Sequence, residues 1–429
     1  MLTFEGFCLF VLFAILAVVS FYLSRLFFGD YFAPLGIFLG INLLSLSLYH
    51  LRLIRLNNLS FQAYGLIAVS FFSFLLGIIF VSPSAFLKLR FQLEQRQIKE
   101  LPLSQPGLVF FYYLTAILAT IGWIILLINF FSSYSLKQIF ELQRHFQSQQ
   151  YIGYLNLLGI LVPPSFVLLK MVRRRVTFLS IGFLLSALFG LLLAGIKTYI
   201  IFSLVVALLA GATFQPLKIR LRHLIVLALV IIAFMVAYNQ FIDIFVQRDF
   251  TSSAFPKKLS YLESPYLYIV GPWPAMSAIM RNPPEQPHWG FLTFHFFWKI
   301  LGEGLKIIPP VPETEPGVNI GSVDDFNVYP LIGGLYWDFG VAGAIIGCFL
   351  LALISASLYR FARKYGHWMT ILQSSIFNYG LFISFFLYYY RFNLLFLMLY
   401  VFIFGNLSRK VPPLLLQVGR SPSSVRENV

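Results

Sequence analysis

About eleven stretches of this sequence stay apolar for close to the 20 residues that a helix needs to cross a hydrocarbon layer. They fall near residues 6–24, 31–50, 61–81, 107–131, 152–169, 176–196, 198–215, 223–242, 331–359, 368–390 and 394–408, with room for a twelfth or a re-entrant segment. No soluble core absorbs that much apolar surface. Hydrophobic residues make up 59% of the chain and charged ones 11%, against about 25% charged in a soluble domain. Lipid must therefore be the solvent for most of it. The expected fold class is all-α, a polytopic membrane protein with about 11–12 transmembrane helices and one long extracytoplasmic loop. Only Glu5 precedes the first apolar stretch, which lacks a basic leader and reads as a retained helix. Cys8 and Cys348 both lie in apolar stretches, which points to neither a disulfide framework nor a metal site.

The net charge of +15 would suggest nucleic acid in a soluble protein. Here the bases form short runs between apolar stretches, as the positive-inside rule requires, and no nucleic-acid partner is expected. If the spans alternate, 19 of the 31 Lys and Arg fall on one side. Taking that side as cytoplasmic puts the N-terminus outside and the C-terminal tail inside. His50, Arg52 and Arg55 break the pattern by landing outside. Either the first helices are miscounted or that segment has a function.

Residues 243–330 form a different kind of object, holding 12 of the 22 prolines. The expected organisation is a bundle over 1–242, an extracytoplasmic loop over 243–330, further spans over 331–408 and a tail over 409–429. Within the loop, Tyr261–Met280 is apolar but broken by Pro265, Pro272 and Pro274. Gly290–Ile308, with His295, Lys299, Glu303 and Lys306, reads as an amphipathic helix at the interface, where Trp289 and Trp298 suit the headgroup level.

The chain carries no P-loop, dinucleotide fingerprint, GxSxG elbow or paired-His metal motif. Its polar residues gather instead at the outer face. Lys197 interrupts an apolar run, either as a snorkelling turn residue or as a cation for an anionic group. Arg391 follows Tyr388, Tyr389 and Tyr390, as an interfacial anchor or a ligand contact. Arg281 ends an apolar turn, as a helix C-terminal cation or as a fork donor for phosphate. Asp324, Asp325 and Asn327 suit a helix N-terminus. Gly333 and Gly334 loosen the start of the following span, placing Asp338 inside the outer leaflet as a functional carboxylate or a buried structural one. Gly343 and Gly347 form a GxxxG step, explained by close helix packing.

The stretch NVYPLIGGLYWDFGVAGAIIG at Asn327–Gly347 resembles bacterial oligosaccharide repeat-unit polymerases, the Wzy-type O-antigen and capsule polymerases. YIVGPWPAMSAIMRNPPEQPHWGFLTF, from Tyr268, and DYFAPLGIF, from Asp30, are similar to further pieces of the family. Where related enzymes often carry an Arg before the long loop, this chain has Lys197, which keeps the charge and loses the fork.

The resemblance implies a GT-C-like membrane glycosyltransferase facing the periplasm or cell exterior at the bacterial inner membrane. Such an enzyme transfers a growing glycan from polyprenyl pyrophosphate onto the non-reducing end of a lipid-linked repeat unit. It implies no cofactor and no metal. Its partners would be the lipid-linked oligosaccharide, the bilayer, and a chain-length regulator and flippase of the same pathway. Lys197, Arg281 and Arg391 would then contact the pyrophosphate, and Asp338, with Asp324 or Asp325 as substitutes, would serve the acceptor. Asn327, Tyr329, Tyr336 and Trp337 would line the sugar site. An O-antigen ligase, with His288 or His295 in the loop, is one alternative; a flippase for the same lipid is the other.

Overall fold

The computed structural model describes residues 3–81, 105–133, 155–172, 177–193, 197–215, 262–282, 317–321, 323–387 and 392–409, with short pieces within 226–237 and 290–307. Among these residues the chain is all-helical, apart from two isolated antiparallel bridges, Leu56–Gly321 and Val318–Phe326. The helices are α1 (Phe4–Phe28), α2 (Ile41–His50), α3 (Phe61–Val81), α4 (Gln105–Ser133), α5 (Val162–Val172), α6 (Phe178–Leu193), α7 (Lys197–Phe214), α8 (Glu263–Val270), α9 (Pro272–Arg281), α10 (Leu331–Tyr365), α11 (Trp368–Phe382) and α12 (Phe392–Arg409).

Among the described residues, five helical segments are long and apolar enough to cross a membrane: Phe4–Phe28, Phe61–Val81, Gly107–Ser132, Leu155–Val172 and Leu331–Tyr365. Shorter apolar helices include Gly36–His50, Phe178–Leu193, Thr198–Phe214 and Leu394–Ser408. Large apolar side chains such as Ile15, Phe72, Phe80, Ile128 and Leu185 point outward, and a lipid environment is what makes that arrangement favourable. Within the spans the backbone satisfies itself, which is why helices are the elements that form.

Two compact units make up the chain, and they interleave along it. One comprises Met1–Arg96, Ala212–Lys364 and Ser374–Phe396; the other comprises Gln97–Gly211, Tyr365–Gln373 and Leu397–Val429. The second packs through small residues at its helix crossings. Gly122 lies against the backbone of Leu155 and Asn156, Gly190 against Trp123, and Gly405 against Met369. Tyr112 donates to the carbonyl of Ser180 at 2.5 Å, and the hydroxyls of Thr115 and Tyr400 pair at 3.1 Å.

In the first unit, α1 and α2 run antiparallel, tied by Ser47 donating to the carbonyl of Phe10. The turn 51–60 then returns the chain into α3, so α2 ends and α3 begins at one end of the unit. That end also receives α8, α9 and the segment 317–330, through the bonds described below, and is called here the loop end. His50 thus ends α2, and Arg52 and Arg55 belong to a turn built into the loop end.

The opposite end is closed by Asp30. This fully buried carboxylate accepts from the Tyr359 hydroxyl at 2.6 Å and from the Phe32 amide at 2.9 Å. Arg363 lies near it and donates to the carbonyl of Thr213.

Helix α10 is two arms rather than one rod. Gly340 has φ 68° and ψ −161°, a conformation open essentially to glycine alone. The first arm, 331–339, folds back on the second, so that the Leu335 side chain lies against Gly347. Twelve positions of straight helix would separate those two residues by about 18 Å. Gly343 and Gly347 provide the smooth surface that allows the reversal: an added Cβ would meet Phe339 at 2.1 Å or Leu335 at 2.8 Å. The GxxxG step therefore serves a fold-back within one segment. Gly333 and Gly334 do not loosen the helix as expected; both are helical and buried, with Met276 packed on Gly333.

Two expectations follow. Gly340→Ala should cost about 1–3 kcal/mol, lowering the thermal unfolding midpoint in detergent, whereas Gly182→Ala, at an uncrowded helical site, should not. A Gly340→Ala midpoint equal to wild type would refute the fold-back. The second concerns pH. Burial raises the Asp30 carboxyl to about 6, against the lowering effects of Tyr359, the Phe32 amide and Arg363. A carboxyl raised in the folded state favours folding while protonated, and that contribution fades as pH climbs from about 4 to about 6. Asp30→Asn should remove a loss of roughly 3 kcal/mol between those limits. Parallel pH–stability curves for the two proteins would contradict this.

Candidate functional site

The turn 51–60 has its backbone fastened by four neighbours. From α2, the Tyr49 hydroxyl donates to the carbonyl of Asn57 at 2.7 Å. From α8, the Tyr266 hydroxyl donates to the carbonyl of Leu48 at 2.9 Å and accepts from the amide of Leu53 at 3.3 Å. From α9, Ser277 Oγ accepts from the amide of Ser60 at 2.9 Å. On the remaining side, the amide of Asn57 donates to the carbonyl of Ile320 at 2.8 Å. Surface turns ordinarily leave such groups to water; here protein atoms supply them, and the turn is held in one shape.

Helices α8 and α9 reach this position because they cross the end of α2 and the start of α3. Ser45 donates to the carbonyl of Ile269 at 2.6 Å and accepts from the Trp273 indole at 2.8 Å. Pro272 and Pro274 fit the first turn of α9, where an amide hydrogen is not needed. Gly271 lets the Phe326 ring approach to where a Cβ would stand. Phe326 belongs to the hairpin-like segment 317–326, closed by paired bonds of 3.0 Å between Val318 and Phe326.

On this frame two arginines meet one asparagine. Arg52 takes a left-handed backbone conformation, φ 48°, unusual for a bulky residue and kept only where surroundings over-determine it. Its guanidinium donates to Asn58 Oδ1 at 2.5 Å and lies 5.9 Å from the Tyr49 ring centroid. Arg281, the last residue of α9, donates to the main-chain carbonyl of Asn58 and to Ser277 Oγ. Among the described residues neither guanidinium is paired with a carboxylate. Two like charges held on one residue repel each other, and an anion between their forks would offset that with charge-assisted bonds.

The carboxylates lie elsewhere on the loop end. Asp324 is exposed and accepts from the Asn319 side chain. Asp325 is exposed beside Gly317, where any side chain would strike its carboxylate. Asn327 is exposed on the extended approach to α10. Tyr329 is buried and stacks on Trp337 at 6.1 Å and 25°. Burial lifts its phenol well above the usual range, with Asp325 adding to the effect, so it remains a neutral donor. Tyr336 is half-buried on the first arm of α10.

Asp338 is fully buried and committed to the protein. Its Oδ1 accepts from the amide of Leu292 at 2.9 Å, and its Oδ2 from the amide and hydroxyl of Thr293 at 2.7 and 2.6 Å. Three donors of the long loop thus meet the carboxylate that the sequence marks for the acceptor side, and they give it a holding role.

Of the expected cations, Arg281 alone has a described side chain. Lys197 opens α7 in the other unit, and its side chain lies outside the described residues, as do Arg391, His288 and His295. Arg52 was visible in the sequence only as a base on the wrong side of the charge pattern. Asn58, Ser277 and Tyr266 gave no signal, since their role arises from contacts more than 200 positions apart.

No family model, curated protein or solved structure matches this chain.

Inorganic pyrophosphate titrated into the detergent-purified protein should bind, and more weakly at high salt. Arg52→Gln or Arg281→Gln should each weaken binding about tenfold, the loss of one charge-assisted bond. Undiminished binding by the double variant would exclude the pair as an anion site.

Proposed function

We propose that this chain is a membrane glycosyltransferase that polymerises lipid-linked oligosaccharides. It would move a growing glycan from its polyprenyl diphosphate carrier onto the non-reducing end of a second lipid-linked repeat unit. The observation that carries this reading is the pairing of Arg52 and Arg281, without a carboxylate among the described residues, on a fastened turn at the end of an apolar helical unit. A ligand suited to it is anionic at one end and apolar at the other. The resemblance of Asn327–Gly347 to repeat-unit polymerases, with the GT-C-like architecture that it implies, supports the same class.

The chemistry needed is limited. The bond from the anomeric carbon to the diphosphate oxygen breaks, and the diphosphate departs with the electron pair. The acceptor hydroxyl oxygen forms the new bond and loses its proton. Charge develops on the leaving diphosphate, and forks placed to receive it lower the barrier. Arg52 and Arg281 would supply that, with Arg391 as a further contact. Asp324 and Asp325, exposed on the neighbouring hairpin, are the carboxylates open to an acceptor proton. Tyr329, Tyr336, Trp337 and Asn327 would border the sugar. The lipid carrier puts the reaction at the outer face of the bacterial inner membrane, in a pathway with a flippase and a chain-length regulator.

Purified protein in detergent, given lipid-linked repeat units, should produce a ladder of longer lipid-linked glycans. The Arg52→Gln/Arg281→Gln double variant should slow it about a hundredfold, two charge-assisted bonds lost. Glycan found only on a lipid A core would replace this reading with a ligase. No transfer by wild type would leave translocation of the same lipid.

A further inference from the structure

Asp338, Phe339 and Gly340 are consecutive, and each does something different to one turn of the long loop. The Asp338 carboxylate accepts from the amides of Leu292 and Thr293 and from the Thr293 hydroxyl. The Phe339 ring packs edge-on to Phe294, with centroids 6.3 Å apart. Gly340 reverses the chain, which carries the other two to the apex of the α10 fold-back. The turn they receive is itself shaped for this contact. Gly290 is left-handed at φ 79° and buried, and a side chain there would strike both Phe294 and Phe339. The amide of Phe294 donates to the carbonyl of Gly290 at 2.6 Å, and the amides of Leu292 and Thr293 are turned to the Asp338 carboxylate.

We propose that Asp338 is a positioning residue: with Phe339 and Gly340 it docks Gly290 and Leu292–Phe294 onto α10 and so holds this part of the long loop relative to the arginine pair. The chain between Arg281 and Gly317 is held at both ends near the 51–60 turn, by Arg281 on Asn58 and by Gly321 beside Leu56. Asp338 gives it an anchor between those ends. An anchor of that kind acts on substrate affinity and not on proton transfer. A buried carboxylate that serves as an acceptor for main-chain amides is replaced poorly by an amide, whose NH2 faces the same donors.

The test has two arms. The first reads the protein alone, by amide hydrogen exchange. Asp338→Asn should raise exchange in the 290–298 peptide at least about tenfold while 345–360 keeps its protection. Asp338→Glu, which retains the carboxylate, should restore part of it. If Asp338→Asn also loosens 345–360, Thr293→Val removes one bond at a half-exposed site and should raise exchange about threefold in the same peptide. Unchanged protection at 290–298 in both variants would overturn the docking. The second arm rests on the proposed glycosyl transfer. Asp338→Asn should raise KM for the lipid-linked substrate about tenfold, with kcat within about threefold and its pH profile unaltered. A collapse of kcat with loss of one limb of that profile would make Asp338 the proton acceptor and overturn the positioning role. A wild type without transfer would refute the proposed function alone, since the exchange arm decides the docking by itself.

Discussion

A peptide group carried into lipid must find its partner inside the protein, and irregular backbone survives at that depth only where other protein segments cover it. The segment around Gly340 meets that demand by folding a short helix back on a longer one. Both arms keep their internal bonds, and only one residue leaves the helical conformation. Gly343 and Gly347 let the arms touch, and Leu335 fills the seam. The approach to the first arm is also held, as the amide of Leu331 donates to the carbonyl of Ser384 at 2.7 Å and Asn42 reaches Ser384 Oγ at 2.6 Å. The loop end can then be irregular because its floor is not.

Above that floor the polar groups divide into those the protein uses and those it leaves open. Asp338 is used: its oxygens meet main-chain amides of the long loop. Tyr49, Tyr266 and Ser277 are used to fasten the 51–60 turn. Arg52 and Arg281 are only partly used, each giving bonds to Asn58 and neither meeting a carboxylate among the described residues. Holding two cations beside each other, one of them on a strained backbone, is unfavourable without a ligand. That imbalance separates a candidate anion site from an ordinary interfacial arginine.

The opposite end of the same unit resolves its charge internally. Asp30 is surrounded by the Tyr359 hydroxyl, the Phe32 amide and the nearby Arg363, and Arg360 donates to the carbonyl of Val81. The two ends thus differ in kind, one internally compensated and the other holding two arginines that meet no carboxylate among the described residues.

Most of the helical framework was legible in the sequence, because a span is a local property: about 20 apolar residues with few charges read the same in any context. The spans near 6–24, 61–81 and 107–131 correspond to α1, α3 and α4 for that reason. The proline-broken stretch 261–280 was equally readable as something other than a span, and it forms α8 and α9. What the tertiary structure decided was the use of each polar group. Asp338 looked like a reactive carboxylate because an acid in an apolar run is costly, but the cost is met by amides 45 and 46 positions away. Gly340 drew no reading of its own in the sequence, and is the point of reversal. Arg52 looked like an error in the charge count, and forms half of the cation pair because Arg281 arrives from 229 positions downstream, a difference in numbering that no local pattern encodes.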